Sequence, residues 1–237
     1  MNLLILFKDD FIDENTALIS GRRFSHIRNI HRSNCGDSMN VGLLNGKIGT
    51  GILISISKKE VTLKISLDYT PVPPIPVQLI VALPRPNTLK KVLQSATSMG
   101  IKKMYFIASK KVEKSYWQSS LLKDESLKKH LILGLEQAED TILPELHFRK
   151  YFKPFVEDEI PQIIKGTDPI LPHPGAKKPC PSNIETPVTL AIGPEGGFTD
   201  YEVELLSENG FQTVNLGKRI LRVEYAVSAV LGRLMKL

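Results

Sequence analysis

Residues 187–192, PVTLAI, form an apolar run, and a short run of this kind bounded by turn formers reads as a buried strand. The run breaks off at Gly193, Pro194, Gly196 and Gly197, and a helix-like stretch, DYEVELL, begins at Asp200. A buried strand that ends in a glycine-rich turn and continues as a helix calls for an open α/β sheet, and such sheets bind ligands at the carboxyl ends of their strands. Glycines lack the side chains that would keep a ligand off the backbone. The turn by itself does not separate a ligand site from a plain chain reversal.

The surrounding pattern fits such a sheet. Residues 77–83 read as a buried strand, 87–99 as a helix with Leu89, Val92, Leu93 and Ala96 on one face, 103–108 as a strand and 123–141 as a long helix. This alternation implies a parallel sheet with helices on both faces. A proline-rich loop over 170–181 precedes the strand at Val188. Residues 1–70 follow a different pattern. Asn45-Gly46 lies between apolar runs over 41–56, a hairpin signal, and residues 60–67 alternate polar and apolar side chains at period two. Short strands closed by glycine turns suggest a small barrel. Between the two patterns, TPVPPIP at 70–76 holds four prolines in seven residues. Prolines at that density make a stiff, extended spacer, so domains are expected at 1–70 and 71–237.

Composition narrows the function classes. A net charge of +6 leans mildly toward a polyanionic partner. The charge is spread, with nine Lys or Arg against seven acids in residues 1–70 and 22 against 18 in the rest, so any basic patch must be made by folding. Cys35 and Cys180 stand far apart with no CxxC spacing, which excludes a zinc motif and a disulfide framework; no metal is expected. No run reaches eighteen apolar residues and the start lacks a basic leader, so neither a membrane span nor a signal peptide is expected and the cytoplasm is the expected compartment. GPEGGFTD ends in neither the Lys-Ser/Thr of a P-loop nor a GxGxxG turn, and the Glu195 carboxylate would repel a phosphate.

About twenty residues after the first block comes a second, VNLGKRILRVEYA at 214–226, with the same plan of short strand, glycine, charged loop and helix. In order and spacing the two resemble the paired IGPEGG(F/L)(T/S)xxE and LGxRILRxExA motifs of the RsmE-type 16S ribosomal RNA (uracil-N3) methyltransferases, a family of the SPOUT class. HIRNIHRSNCGD at 26–37 is similar to that family's amino-terminal HxxxVLRxxxGD. The resemblance implies an α/β protein with a small amino-terminal PUA-like, RNA-binding β-barrel and a carboxyl-terminal SPOUT domain with a mainly parallel sheet and a deep trefoil knot. It implies S-adenosyl-L-methionine as cofactor, small-subunit ribosomal RNA as partner, and a homodimer. Ala226, Ser228, Ala229 and Gly232 on the terminal helix would let a partner helix approach; the helix could equally pack only within its own domain.

Adenine needs an apolar slot and peptide donors and acceptors. On the resemblance, Leu171, Ile192, Gly193, Pro194, Gly196, Gly197, Leu216, Gly217, Ile220 and Leu221 are expected cofactor contacts; without it the apolar ones read as core and the glycines as turn formers. His173 either borders the pocket or is an exposed loop histidine. Uracil N3 is weakly acidic, so methyl transfer there needs a base or stabilisation of the anion. Arg222 is the candidate for polarising a uracil oxygen, and Glu224 for orienting that arginine or acting as base; otherwise they are a surface pair at a helix start. His26, Arg28, Arg32 and Arg219 are candidate RNA contacts, or parts of solvated polar faces. Asp140 stands where the family has arginine, and Val223 and Tyr225 where it has threonines, which leaves open a different RNA nucleotide as target, or a non-catalytic RNA-binding protein on the same fold.

Overall fold

A computed structural model describes residues 2–28 and 34–235. The chain divides into two units, Met1–Pro73 with Ile132–Leu143, and Pro74–Leu131 with Pro144–Leu237.

In the first unit, β1 (Leu4–Leu6), β2 (Phe11–Asp13), β3 (Thr16–Ser20), β4 (Ser38–Leu43), β5 (Ile48–Ile56) and β6 (Glu60–Tyr69) join in the order β1-β4-β5-β6-β3-β2. All pairs are antiparallel except β1 with β4. The Asn45-Gly46 hairpin forms as expected: Asn45 takes φ +59° and Gly46 N–H donates to Leu43 C=O at 2.8 Å. Inward residues of β1, β3, β4, β5 and β6, among them Leu4, Leu6, Ile19, Val41, Leu53 and Leu63, pack into one buried cluster. Strands from both ends of the sheet order share that core, which makes the unit barrel-like. Helix α1 (Gly21–His26) is tied to the 8–10 turn by Arg23, which donates to both carboxylate oxygens of Asp10 at 2.5 and 2.7 Å, a bidentate geometry with strong directionality.

The second unit alternates strands and helices: β7 (Val77–Ala82), α2 (Pro86–Ser98), β8 (Lys103–Ile107), α3 (Asp124–Ala138, of which residues 132–138 go with the first unit), β9 (Glu145–Arg149), the single turns α4 (Phe152–Pro154) and α5 (Ile160–Ile163), β10 (Asp168–Pro172), β11 (Val188–Ile192), α6 (Asp200–Glu208), β12 (Gln212–Val214) and α7 (Val223–Leu234). The sheet runs β12-β10-β11-β7-β8-β9, and every pairing is parallel. Strands covered on both faces read as continuous apolar runs, which is why β7 and β11 are legible in the sequence. On one face Ile80, Ala82, Tyr105, Ile107, Leu171 and Ala191 meet Phe155, Val156, Ile160, Leu205 and Leu206. Each Val, Leu, Ile or Phe side chain among them contributes about 1.5–3 kcal/mol when withdrawn from water. Thr189, fully buried in β11, keeps its hydroxyl bonded to Gln78 Nε2 at 2.8 Å and to the Thr167 hydroxyl at 2.7 Å, so its burial leaves no polar atom unsatisfied.

Two expectations are corrected. Residues 168–172 form an interior strand where the prolines suggest a loop. Pro169 and Pro172 lie at its ends, where the ladder needs little from them: register with β12 begins only at Ile170, and register with β11 ends there. The boundary expected at 70/71 is also too simple. The division falls at Pro73–Pro74, and residues 132–143 go with the first unit. Leu3 and Ile5 of β1 pack on Ile132 and Leu135, and the N–H groups of Asn2 and Leu3 donate to Glu136 C=O at 3.1 and 3.0 Å.

The last third of the chain is laced to itself. Residues 178–184 bond to Asn215 on one side, through the Asn215 N–H to Lys178 C=O and the Cys180 N–H to Asn215 C=O, each 2.8 Å. On the other side the N–H groups of Asn183 and Ile184 donate to the carbonyls of Arg233 and Leu234 near the end of α7. No helix among the described residues is long and apolar enough to cross a membrane.

Candidate active site

Because β10, β11 and β12 are parallel neighbours, their carboxyl ends open on the same edge of the sheet. Their three following loops, residues 172–174, 193–198 and 216–221, enclose a cleft of about 450 Å³ with Val223 and Ala226 of α7. That size falls within the roughly 300–1,000 Å³ of small-molecule sites. The two sequence motifs, apart in the chain, thus build facing walls of one cavity.

The first wall is a turn held from several directions. Gly197 N–H closes onto Pro194 C=O at 2.8 Å, and Gly197 has φ +69°, a conformation that favours glycine. The Glu195 carboxylate accepts the Arg85 N–H at 2.9 Å. Arg85 precedes α2, whose first residue is Pro86, so a carboxylate near this helix start also suits the helix dipole. Lys111 Nζ donates to Gly196 C=O at 2.7 Å. Behind the turn, Thr199 and Glu202 form a reciprocal capping box at the start of α6, and the buried Glu202 also accepts the Lys110 N–H at 2.7 Å. A methyl group added at Gly193 would come within 3.0 Å of the Phe198 backbone nitrogen, so that glycine serves the tightness of the turn. At Gly196 an added methyl would meet the Lys111 stem, also at 3.0 Å.

The second wall is open. Leu216 is half-buried, whereas Gly217, Lys218, Arg219, Ile220, Leu221 and Arg222 are exposed, Ile220 by 84%. Gly217 takes φ +111°, and its N–H reaches Asn215 Oδ1 at 3.2 Å. Arg219 lies in the cavity wall; Arg222 does not, although Leu221 and Val223 on either side of it do. Arg222 is the residue preceding α7, and its carbonyl accepts the N–H groups of Tyr225 and Ala226 at 3.0 and 2.8 Å.

Nine of the ten expected cofactor positions line this cleft, together with His173, Arg219, Glu195, Lys218, Phe198, Val223 and Ala226. Leu171 does not. It is fully buried in the core beside Ala191 and Phe198, because an interior strand sends that side chain into the sheet's packed face. The Nδ1 of His173 accepts the Gly175 N–H at 3.2 Å, which puts the proton of the neutral ring on Nε2.

Glu224 is a correction. Buried in the first turn of α7, it pairs with Lys91 of α2 at 3.1 Å and is absent from the cavity wall. Burial pushes its pKa up, but its own backbone N–H, the Lys91 ammonium and nearby Arg222 outweigh that, and the carboxyl is held below its ordinary value. The pair tethers α7 to α2; the lowered pKa speaks against the base role, whereas the nearness of Arg222 suits the role of orienting that arginine. Asp140, which stands where the family has arginine, is buried and accepts the Ile142 N–H at 3.0 Å. Of the candidate RNA contacts in the first unit, His26 ends α1 half-buried and Arg28 is exposed in the turn after it; Arg32 and neighbouring His31 lie outside the described residues. On α7 the apolar residues Val227, Val230, Leu231 and Leu234 are buried, while Tyr225, Ala229 and Gly232 face outward.

Sequence reasoning passed over Lys110, Lys111, Arg85 and Glu202. Only the Thr-x-x-Glu spacing of a capping box gave a local signal for one of them.

A family model described as an RNA methyltransferase domain matches residues 71–235. Ribosomal RNA small subunit methyltransferase E of Treponema pallidum is 29% identical over 95% of this chain and 88% of its own length. The Bacillus subtilis protein of the same name is 28% identical over 95% and 93%. A crystal structure of ribosomal RNA small subunit methyltransferase E from Neisseria gonorrhoeae, bound to S-adenosyl methionine, superposes with a TM-score of 0.71 at 20% identity, covering 97% of this chain and 95% of that one. At that identity the likeness establishes the shared fold. With the cleft built from both motifs and the model spanning the second unit, the chain belongs to the RNA methyltransferase domain family.

Proposed function

We propose that this protein is an S-adenosylmethionine-dependent methyltransferase of ribosomal RNA that acts on N3 of a uridine in the 16S RNA of the small subunit. The observation that carries the reading is the cleft at the carboxyl ends of β10, β11 and β12, walled by both motifs. The names of the relatives in Treponema and Bacillus and the ligand of the Neisseria enzyme support it.

The residues present suit the cofactor. Gly193, Pro194, Gly196, Gly197 and Gly217 bring peptide groups to the cleft, and Ile192, Leu216, Ile220, Leu221 and Val223 bring apolar surface, the combination adenine and ribose need. An added methyl group at Gly197 or Gly217 would meet no atom within 4 Å, so the backbone there is open to a ligand. S-adenosylmethionine, when bound, supplies an electrophilic methyl group. Arg219, in the cleft wall, and Arg222, next to that wall in the chain, are the candidate cations for stabilising charge on a uracil that loses its N3 proton; Arg222 is the candidate for touching the uracil oxygen. Glu224 anchors α7 through Lys91 and is the candidate for orienting Arg222. His26, Arg28, Arg32 and Arg219 are the candidate RNA contacts, and the barrel-like first unit the RNA-binding part. The trefoil knot, a homodimer across the outward face of α7 and a cytoplasmic location belong to the same reading.

The test is methylation of isolated, unmodified small subunits with labelled cofactor, followed by mass spectrometry of the RNA. One modified uridine at N3 is the expected result. A methyl group on another nucleotide would move the substrate, and cofactor binding with no methylation of any RNA would remove catalysis.

A further inference from the structure

The 193–198 turn is fixed by a residue that neither motif contains. Lys111 follows β8 and reaches across to the loop after β11, where its ammonium donates to Gly196 C=O at 2.7 Å and its methylene stem lies against Gly196, with Cδ 3.0 Å from where a β-carbon would be. Gly196 has no left-handed φ; its lack of a side chain leaves room for that stem. With the Gly196 carbonyl taken by Lys111 and the Gly197 N–H by Pro194 C=O, both ends of the peptide plane between the two glycines are bonded to protein. Just before it, the Glu195 side chain is held by the Arg85 N–H.

We infer that Lys111 is a positioning residue that sets the glycine turn in its ligand-receiving conformation before any ligand arrives. The inference rests on the reading of the cleft as a cofactor site. A turn of two glycines has more backbone freedom to lose than any other pair of residues, and ordering it in advance removes that cost from binding. The ammonium provides the lock and the stem packs against the glycine that makes room for it; Lys111 touches no reacting atom.

Three variants separate the parts. Lys111→Met keeps the stem and removes the ammonium, Lys111→Ala removes both, and Lys111→Arg restores a cation. Amide hydrogen exchange across 194–198 in the ligand-free protein reads the lock directly, and calorimetric titration with S-adenosylmethionine reads its use. Exchange should quicken about fivefold or more in Lys111→Met and Lys111→Ala and return toward the parent in Lys111→Arg. Cofactor Kd should rise by a similar factor, while kcat at saturating cofactor stays within twofold and the melting temperature is unchanged. Unaltered exchange in Lys111→Met overturns the lock whatever the cofactor does. Quickened exchange in a protein whose parent form binds no S-adenosylmethionine would leave the lock standing and sink the cofactor reading instead. Quickened exchange with unchanged Kd would overturn the claim that the lock serves binding.

Discussion

The two walls of the cleft come from motifs of similar plan, strand then glycine loop then helix, yet they are held in opposite ways. Residues 193–198 are bonded at Glu195, Gly196 and Gly197 and backed by a buried, fully used Glu202. Residues 217–222 are exposed throughout, and their apolar pair Ile220 and Leu221 faces solvent. Segments with few buried contacts and exposed backbone open at low free-energy cost, and binding elements are drawn from that end of the range. One wall is therefore tied down in the ligand-free protein, and the other is exposed and lightly tied. On the proposed chemistry the tied wall would seat the methyl donor, and the open one would complete that seat with Leu216, Ile220 and Leu221 and bring Arg219 and Arg222 to the substrate side.

That contrast can be broken. The largest effect is expected at the open wall. Arg222→Ala should lower turnover by about a hundredfold, in the range seen when a charge-stabilising donor is removed, with cofactor affinity within a few-fold and melting unchanged. Normal turnover in a folded variant would return Arg222 to the surface. At the built wall the loss should be one of stability. Glu202→Gln weakens acceptance from Lys110 N–H, Thr199 N–H and the Thr199 hydroxyl, and a disturbed buried acceptor costs about 1–3 kcal/mol, lowering Tm by several degrees in calorimetry. If Glu202→Gln melts with the parent, the wall is not pinned as described.

Ile220→Ser should be almost silent in stability, within about 0.5 kcal/mol as for an ordinary exposed site, yet weaken cofactor retention or subunit association several-fold by titration and light scattering. A marked fall in Tm would mean that the open wall is packed after all. The smallest effect concerns the tether of α7. Because Glu224 has a lowered folded pKa, its contribution is present above its unfolded value near 4.5 and lost as pH falls through the folded one. Lys91→Met removes one cause of that lowering, so acid unfolding should begin at a higher pH. Coincident acid transitions in the two proteins would show that the Lys91–Glu224 pair does not stabilise the start of the helix that follows Arg222.

Much of the framework was legible because it depends on periods that the sequence carries openly. β7 and β11 are apolar but for Gln78 and Thr189, α2 repeats its apolar face at helical spacing, and Asn45-Gly46 can hardly be anything but a turn. β10 was hidden, since Pro169 and Pro172 argue against a strand; whether those positions need ladder bonds depends on which neighbours reach them, and that is a property of the sheet. The glycines of the cleft were legible as a set, but their reasons were not. Gly197 is required by its dihedral, Gly193 by Phe198 and Gly196 by Lys111.

The sequence by itself determined the alternation of strands and helices and the place of the two glycine loops at strand ends. These follow from local period and backbone permissiveness, which no distant residue alters. Only the tertiary structure decided that Leu171 is core and His173 is wall, that residues 132–143 go with the first unit, that Glu224 is spent on Lys91, and that a lysine outside both motifs holds the turn. Each of these is a meeting of residues far apart in the chain, and the parallel register of the sheet selects the partners.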